Sequence, residues 1–309
     1  MAINVEKISF ASGEFDRVIR WRNDVDKIEL LNSDGSTVSL EGSGSLWHLH
    51  EEVELTLIIE GEGSRLVGDR VDRFSAPCLV LVGPNLPHYW RFKGPSSGIC
   101  IQVNLARMEH ALPNLPSQEV HRVTKQSSKG LIFAGKARSR IEQIVLRIAT
   151  AKGIARWGAL LQLIGSLDEV KRAETKEISS KPFNIDHLAP GYRSVQKSIL
   201  FILNHFQERI SLEQVLSIAG MSKATFSRHF LRYTGKTFTR FIIDVRIDHA
   251  GHRLLSSRDP VSKIAYESGF NNLAHFNRMF LRDHGKAPST FRDGSSSGRA
   301  TGATRLKER

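Results

Sequence analysis

The stretch Phe226-Ser227-Arg228-His229-Phe230-Leu231-Arg232-Tyr233-Thr234-Gly235-Lys236 returns 50 positions later as Phe276-Asn277-Arg278-Met279-Phe280-Leu281-Arg282-Asp283-His284-Gly285-Lys286. Phe, Arg, Phe, Leu, Arg, Gly and Lys recur at matching places, which marks a duplicated supersecondary unit. Phenylalanines four apart predict one buried helix face, and the Arg two residues after the first Phe falls off that face. Each copy follows a short amphipathic segment that ends in glycine. Leu212 to Ala219 leads into Gly220-Met221-Ser222, and residues 261–268 lead into Gly269-Phe270-Asn271. A glycine just past the last helical turn takes the left-handed conformation that stops a helix sharply. Ser222, and Asn271 or Asn272, suit the N-cap of the next helix. The pattern predicts helix, tight turn, helix, twice over.

Charge says what such a pair is for. The net charge is +12 over 309 residues, and it is unevenly placed. Residues 1–170 hold 20 basic and 20 acidic side chains, whereas residues 193–292 hold 16 basic and 7 acidic. A basic helix-turn-helix pair points to double-stranded DNA, with the second helix of each unit in a major groove. Arg228 and Arg278 can reach a guanine edge or a phosphate, and Lys236 and Lys286 are placed for phosphates or acidic neighbours.

Residues 211–292 resemble the DNA-binding domain of the AraC/XylS family of regulators. The resemblance rests on Ile264-Ala265-Tyr266-Glu267-Ser268-Gly269-Phe270, on Phe276-Asn277-Arg278-Met279-Phe280 and on Gly285-Lys286-Ala287-Pro288-Ser289-Thr290-Phe291-Arg292. Arg246, Ala250 and Leu254-Leu255 fall where the family's central helix carries Arg, Ala and Leu-Leu, while Leu216 stands where it usually has Ala. The resemblance implies two units joined by a helix over residues 238–255, reading successive major-groove segments about one turn apart. It implies groove-facing Ala224, Thr225, Ser227 and Arg228 in the first unit and Ala274, His275, Asn277 and Arg278 in the second. Ser222 and Lys223 at the first helix start complete the expected DNA-binding set. The second set is chemically richer, since Asn pairs bidentately with adenine.

The N-terminal half reads differently. Short apolar or alternating runs (Val53 to Glu60, Cys78 to Val82, residues 98–103) are separated by Gly- and Pro-rich turns, which predicts a β-sandwich or barrel. Residues 137–170 turn helical: Ile141, Ile144, Val145 and Ile148, then Gly153, then Trp157, Leu160, Leu161, Ile164 and Leu167. This predicts a helical hairpin whose stripe packs on the β domain, dimerises, or both. Polar residues 171–192, with Pro182 and Pro190, are expected as a linker, and residues 293–309 as a disordered tail.

His48, His50 and Glu54 share parity, so an extended strand presents them on one side. His88 follows the turn Gly83-Pro84-Asn85-Leu86-Pro87, and Trp90 shares its parity. With Gly42 and Gly61 these residues resemble the first and second motifs of cupin barrels, although Pro77-Cys78 and Asn85 depart from the second. Three readings stay open: a divalent transition-metal site of His48, His50, Glu54 and His88, a metal-free pocket where these residues and Trp90 bind a ligand, or structural histidines.

The expected architecture is therefore a cupin-like β-barrel sensor (residues 1–136), a hairpin (137–170), a linker (171–192), an all-α DNA-binding domain with two helix-turn-helix units (193–292) and a tail. The expected function is transcriptional regulation, as an activator gated by a sugar or other small polar metabolite. Expected partners are DNA, RNA polymerase and a second copy of the chain. A metal-dependent cupin enzyme and a co-regulator acting through protein contacts are the alternatives. Two cysteines imply no disulfide framework. With no signal-like or membrane-length apolar run, a cytoplasmic location is expected.

Overall fold

A computed structural model describes residues 8, 10, 13–42, 47–183 and 191–296. The chain divides into two compact units, residues 1–197 with 228–235, and residues 198–227 with 236–309.

The first unit is built on strands β1 (Asp16–Asn23), β2 (Lys27–Leu31), β3 (Thr37–Glu41), β4 (Val53–Glu60), β5 (Glu62–Val67), β6 (Arg70–Ser75), β7 (Cys78–Val82), β8 (His88–Phe92), β9 (Ser96–Val103), β10 (Leu131–Phe133) and β11 (Thr175–Glu177). They form an eight-stranded sheet in the order β11-β10-β7-β4-β9-β1-β2-β3 and a three-stranded sheet β6-β5-β8. An isolated bridge pairs His48 with His88.

Alternation along the large sheet sorts its side chains into two layers. Val53, Leu55 and Leu57 of β4 join Leu79 and Leu81 of β7, and Ile99, Ile101 and Val103 of β9, in one hydrophobic core. Helices α1 (Leu105–Ala111), α2 (Ser117–Ser127), α3 (Gly135–Ile148) and α4 (Gly153–Asp168) contribute to that same core. The opposite parity, with Glu54, Thr56, Cys100 and Gln102, lines a cavity together with Trp90 and Phe92 of the small sheet. Along β4, β7 and β9 both faces are buried, so these strands read as near-continuous apolar runs.

The hairpin forms where periodicity places it, and its stripe is divided. Leu160, Ile164 and Leu167 are buried in the β domain's own core, and Trp157 packs on Phe15 with ring centroids 5.1 Å apart. The side left outside carries Leu146, Ile154 and Leu161. Within the hairpin, Arg156 is buried and ion-paired to Asp16 of β1 at 2.6 Å, and it also donates to the Leu31 carbonyl.

The linker expectation is corrected over its first half. Residues 172–174 form a 3-10 turn and β11 pairs antiparallel with β10. Asp69 accepts from Ser179 Oγ and the Ser180 N–H, while Ile178 and Phe183 are buried. Two buried apolar side chains and one carboxylate acceptor hold a polar segment that composition alone marks as loose. Residues 184–190 lie outside the described residues.

The helical part contains α5 (Tyr192–His205), α6 (Leu212–Ala219), α7 (Lys223–Thr234), α8 (Phe238–Ser256), α9 (Val261–Glu267), α10 (Leu273–His284) and α11 (Pro288–Ser296). In the second unit Ile247, Ala250 and Leu254 of α8 meet Ile264, Phe270, Phe276 and Phe280 in a separate core. The expected tail is corrected at its start, since α11 continues through Ser296. Residues 297–309 lie outside the described residues. Among the described residues, no helix is long and apolar enough to cross a membrane.

The buried Arg156–Asp16 pair yields a stability expectation. Arg156→Ala leaves an uncompensated carboxylate inside the domain and is expected to cost about 3–5 kcal/mol. Replacing both partners, with Asp16→Leu and Arg156→Met, is expected to cost less than the single change. Urea denaturation of the three proteins checks the order. A single variant within about 0.5 kcal/mol of wild type would mean the pair contributes nothing.

Candidate DNA interface and histidine cluster

The second helix-turn-helix is set by its turn. Gly269 has φ +88°, and a Cβ there would stand 2.5 Å from the Phe206 carbonyl oxygen and 2.7 Å from Arg246 Nε. Arg246 explains the crowding, for its guanidinium donates to the carbonyls of Phe206 and Glu208, both at 2.7 Å. Asn272, the second of the two candidate caps, accepts from the His275 N–H at 2.8 Å and starts α10. Phe276 and Phe280 are fully buried, while Ala274, Asn277 and Arg278 are exposed. His275 is half-buried, edge-on to Phe270 at 5.8 Å.

The first unit repeats the logic. Ser211 and Gln214 form a reciprocal capping box on α6, and Gly220 closes that helix in the left-handed conformation. Ser222 accepts from the Thr225 N–H at 3.3 Å. Phe226 and Phe230 are buried, and Ser222, Lys223, Ala224, Ser227 and Arg228 are exposed, with Thr225 half-buried. Leu216 is only half-buried, so its bulk is accommodated beside the core residues Val215 and Ala219. Partial burial, then the charges of Arg228 and Arg232, lower the His229 pKa.

The two repeat lysines part company. Lys236 is ion-paired with Asp244 of α8, the acidic neighbour that its sequence position allowed for. Lys286 is exposed, and no carboxylate pairs with it among the described residues.

In the β domain, the candidate ligand atoms of His48, His50, Glu54 and His88 lie within 4.8 Å of one another, and all four residues are buried. His88 Nδ1 faces the Leu86 carbonyl at 2.9 Å, and His50 Nδ1 faces the Glu52 carbonyl at 3.2 Å. Each carbonyl can only accept, so a proton on Nδ1 satisfies it, and in that tautomer the Nε2 lone pair turns inward. Those Nε2 atoms stand 3.1 Å (His50) and 3.6 Å (His88) from Glu54 Oε2. Glu54 also accepts from Thr56 Oγ1 at 2.7 Å and Gln102 Nε2 at 3.1 Å. Burial pushes its carboxyl up, but His88 and His50 outweigh that and hold it well below the usual range. Lone pairs facing a carboxylate require a cation between them, either protons on the rings or a metal ion. Ligand atoms bound at about 2.0–2.1 Å to one tetrahedral or octahedral ion stand roughly 3.0–3.5 Å apart, close to the spacings seen.

Trp90, as its parity implies, lines the adjoining cavity of about 50 Å³. Thr56, Gln102, Trp21 and Phe92 also line it and were not among the candidates from sequence. Gln102 had a readable signal: it is the one polar residue in the apolar run Ile99–Val103. Gly98 makes room for the wall, since a Cβ there would stand 2.1 Å from the Trp21 ring.

Comparison with known proteins agrees with the helical geometry. Residues 215–294 match the family model described as a helix-turn-helix domain. An HTH-type transcriptional regulator from the cgkA 5′ region of Pseudoalteromonas carrageenovora is 31% identical over 126 residues, covering 41% of this chain and 72% of that protein. The chain belongs to the AraC/XylS family of helix-turn-helix transcriptional regulators. It therefore acts as a sequence-specific DNA-binding regulator. The HTH-type transcriptional activator RhaS of Escherichia fergusonii is 33% identical over 96 residues, 31% of this chain and 34% of that protein. The match thus spans about a third of RhaS. The DNA-binding domain of AdpA, solved with a target DNA, is 27% identical, covering 35% of this chain and 98% of that one with a TM-score of 0.34.

Gly269→Ala is expected to destabilise the regulator by at least about 1–2 kcal/mol from backbone strain alone, with the clash against Phe206 and Arg246 added. Asn272→Ala is expected to cost about 1 kcal/mol. Thermal melts followed by circular dichroism measure both. A Gly269→Ala protein as stable as wild type would contradict the packing described for this turn.

Proposed function

We propose that this regulator reads DNA chiefly with α10, that it is an activator responding to a small molecule, and that His48, His50, Glu54 and His88 hold a divalent transition metal. The observation that carries the first part is the asymmetry of α10: Phe276 and Phe280 face the core while Asn277 and Arg278 stand exposed. The metal reading rests on the inward Nε2 atoms of His50 and His88 around one carboxylate. Three imidazoles and one carboxylate leave coordination positions for an effector, and the donor set suits zinc, iron, manganese or nickel. In this reading the cluster senses rather than turns over a substrate. Steady consumption of a substrate by the purified protein would favour the enzyme alternative.

The regulator works in the cytoplasm with RNA polymerase as partner, as a homodimer. The dimer surface is the outer side of the hairpin, where Ile154 is 90% exposed and Leu161, seven residues on, shares its helix face.

Arg278→Ala is expected to weaken specific DNA binding by about 1–3 kcal/mol, and Arg228→Ala by less. Lys286→Ala should weaken all sequences alike and reduce the salt dependence. Lys236→Ala should lower stability and leave the salt slope unchanged. Gel-shift titrations at several salt concentrations check these outcomes, and equal binding by all four variants and wild type would contradict the assignment. For the cluster, protein purified without chelator or affinity tag is expected to contain about one metal ion per chain, lost in His50→Ala. Elemental analysis reads this directly. Substoichiometric metal that does not rise on metal addition would leave the cluster as a metal-free ligand pocket.

A further inference from the structure

The cavity beside the cluster has two hydrogen-bonding atoms with no partner among the described residues. Trp90 and Gln102 both line it, at 3% and 2% exposure. Among the described residues, Trp90 Nε1, which carries a proton, has no acceptor, and Gln102 Oε1, which has lone pairs, has no donor. The orientation of Gln102 is fixed by chemistry. Its other end meets the Glu54 carboxylate at 3.1 Å, and only the NH2 group can do that. Trp21, in the same wall, shows the ordinary arrangement: its Nε1 donates to Ser96 Oγ at 3.1 Å. Trp90 is held in place by Phe74, edge-on at 5.5 Å. A buried polar atom left unpaired is costly, because it gives up its bond to water and gains none in return. Two in one cavity wall mark a place where a bound molecule supplies the partners.

The rest of the wall limits what that molecule can be. Ile19, Trp21, Ile28 and Phe92 are apolar. The volume of about 50 Å³ holds about four water-sized groups at ~10–15 Å³ each, too few for a sugar ring. A hydroxyl is the smallest group that both accepts and donates. A ketone accepts from Trp90 but leaves Gln102 unmatched. A carboxylate does the same and sets its charge beside Glu54.

We propose that the effector of this site is a small uncharged alcohol. Its oxygen accepts from Trp90 Nε1, its hydroxyl proton goes to Gln102 Oε1, and its short carbon body lies against Trp21 and Phe92. The proposal rests on the reading above that this regulator responds to a small molecule, and it places that molecule in the cavity beside the cluster.

Three probes with the same number of heavy atoms test it: 2-propanol, acetone and acetate. Ligand-observed saturation-transfer NMR on the full chain gives their affinities. Wild type is expected to bind 2-propanol at least about tenfold more tightly than acetone or acetate. Trp90→Phe, which keeps the ring but loses the N–H, should weaken 2-propanol about tenfold. Gln102→Met should narrow the preference over acetone to within about twofold. Gel shifts and circular dichroism on the same samples show that each variant is folded. Equal binding of 2-propanol and acetone to wild type overturns the proposal, as does Trp90→Phe binding 2-propanol like wild type. No transfer to any probe, in protein that still binds DNA and metal, also overturns it while leaving the regulator intact. Wild-type protein that binds neither DNA nor metal would instead overturn the reading beneath it.

Discussion

The eight-stranded sheet must hide both of its faces, and the strand's two-residue period decides what each face hides. On β4, Val53, Leu55 and Leu57 go to the helices, while Glu54 and Thr56 go to the cavity. A slip of one residue would put the carboxylate into the hydrophobic core and leucines beside the histidines. Register therefore fixes the chemistry of the site as firmly as it fixes the core. Glu54 lies opposite Gln102 on β9 and Val82 on β7. That pairing brings the carboxylate to the amide that holds it.

The helical part obeys a different constraint. Its function needs exposed polar side chains on a helix whose other face is anchored, and that requires sharp, well-capped turns. Gly220 and Gly269 supply the turns, and Ser222 and Asn272 the caps. Arg246 adds a constraint that spacing does not reveal. By binding the carbonyls of Phe206 and Glu208 it ties α8 to the chain end of α5, and it leaves room at residue 269 for glycine alone.

Much of this was legible in the sequence because it is periodic. The repeat at an offset of 50 gave the paired units, and the parity of His48, His50 and Glu54 gave one face of the cluster. His88 was legible as a candidate, but its approach to Glu54 depends on the isolated bridge to His48 and on the small sheet facing the large one. Trp90 was placed by parity, whereas Gln102, the one polar residue of its run, and Thr56, two residues past Glu54, were missed because neither belongs to a motif. The linker was misread because β11 is three residues long and the residues after it are held by Asp69, 110 positions from Ser179. Lys236 and Lys286 are equivalent in sequence, and only the fold shows Asp244 beside the first. Helices α1 and α2 leave no comparable trace in the pattern.

On the proposal above, two recognition helices on one chain read DNA side by side. In vitro selection from a random duplex library with the whole 309-residue chain puts this to the test. The expected result is two conserved segments with centres about 10–10.5 base pairs apart, the one under α10 more sharply defined than the one under α7. An adenine and a guanine are expected among its strongest positions, matching Asn277 and Arg278. A single short segment, or a bound pool no different from the starting library, would contradict the claim.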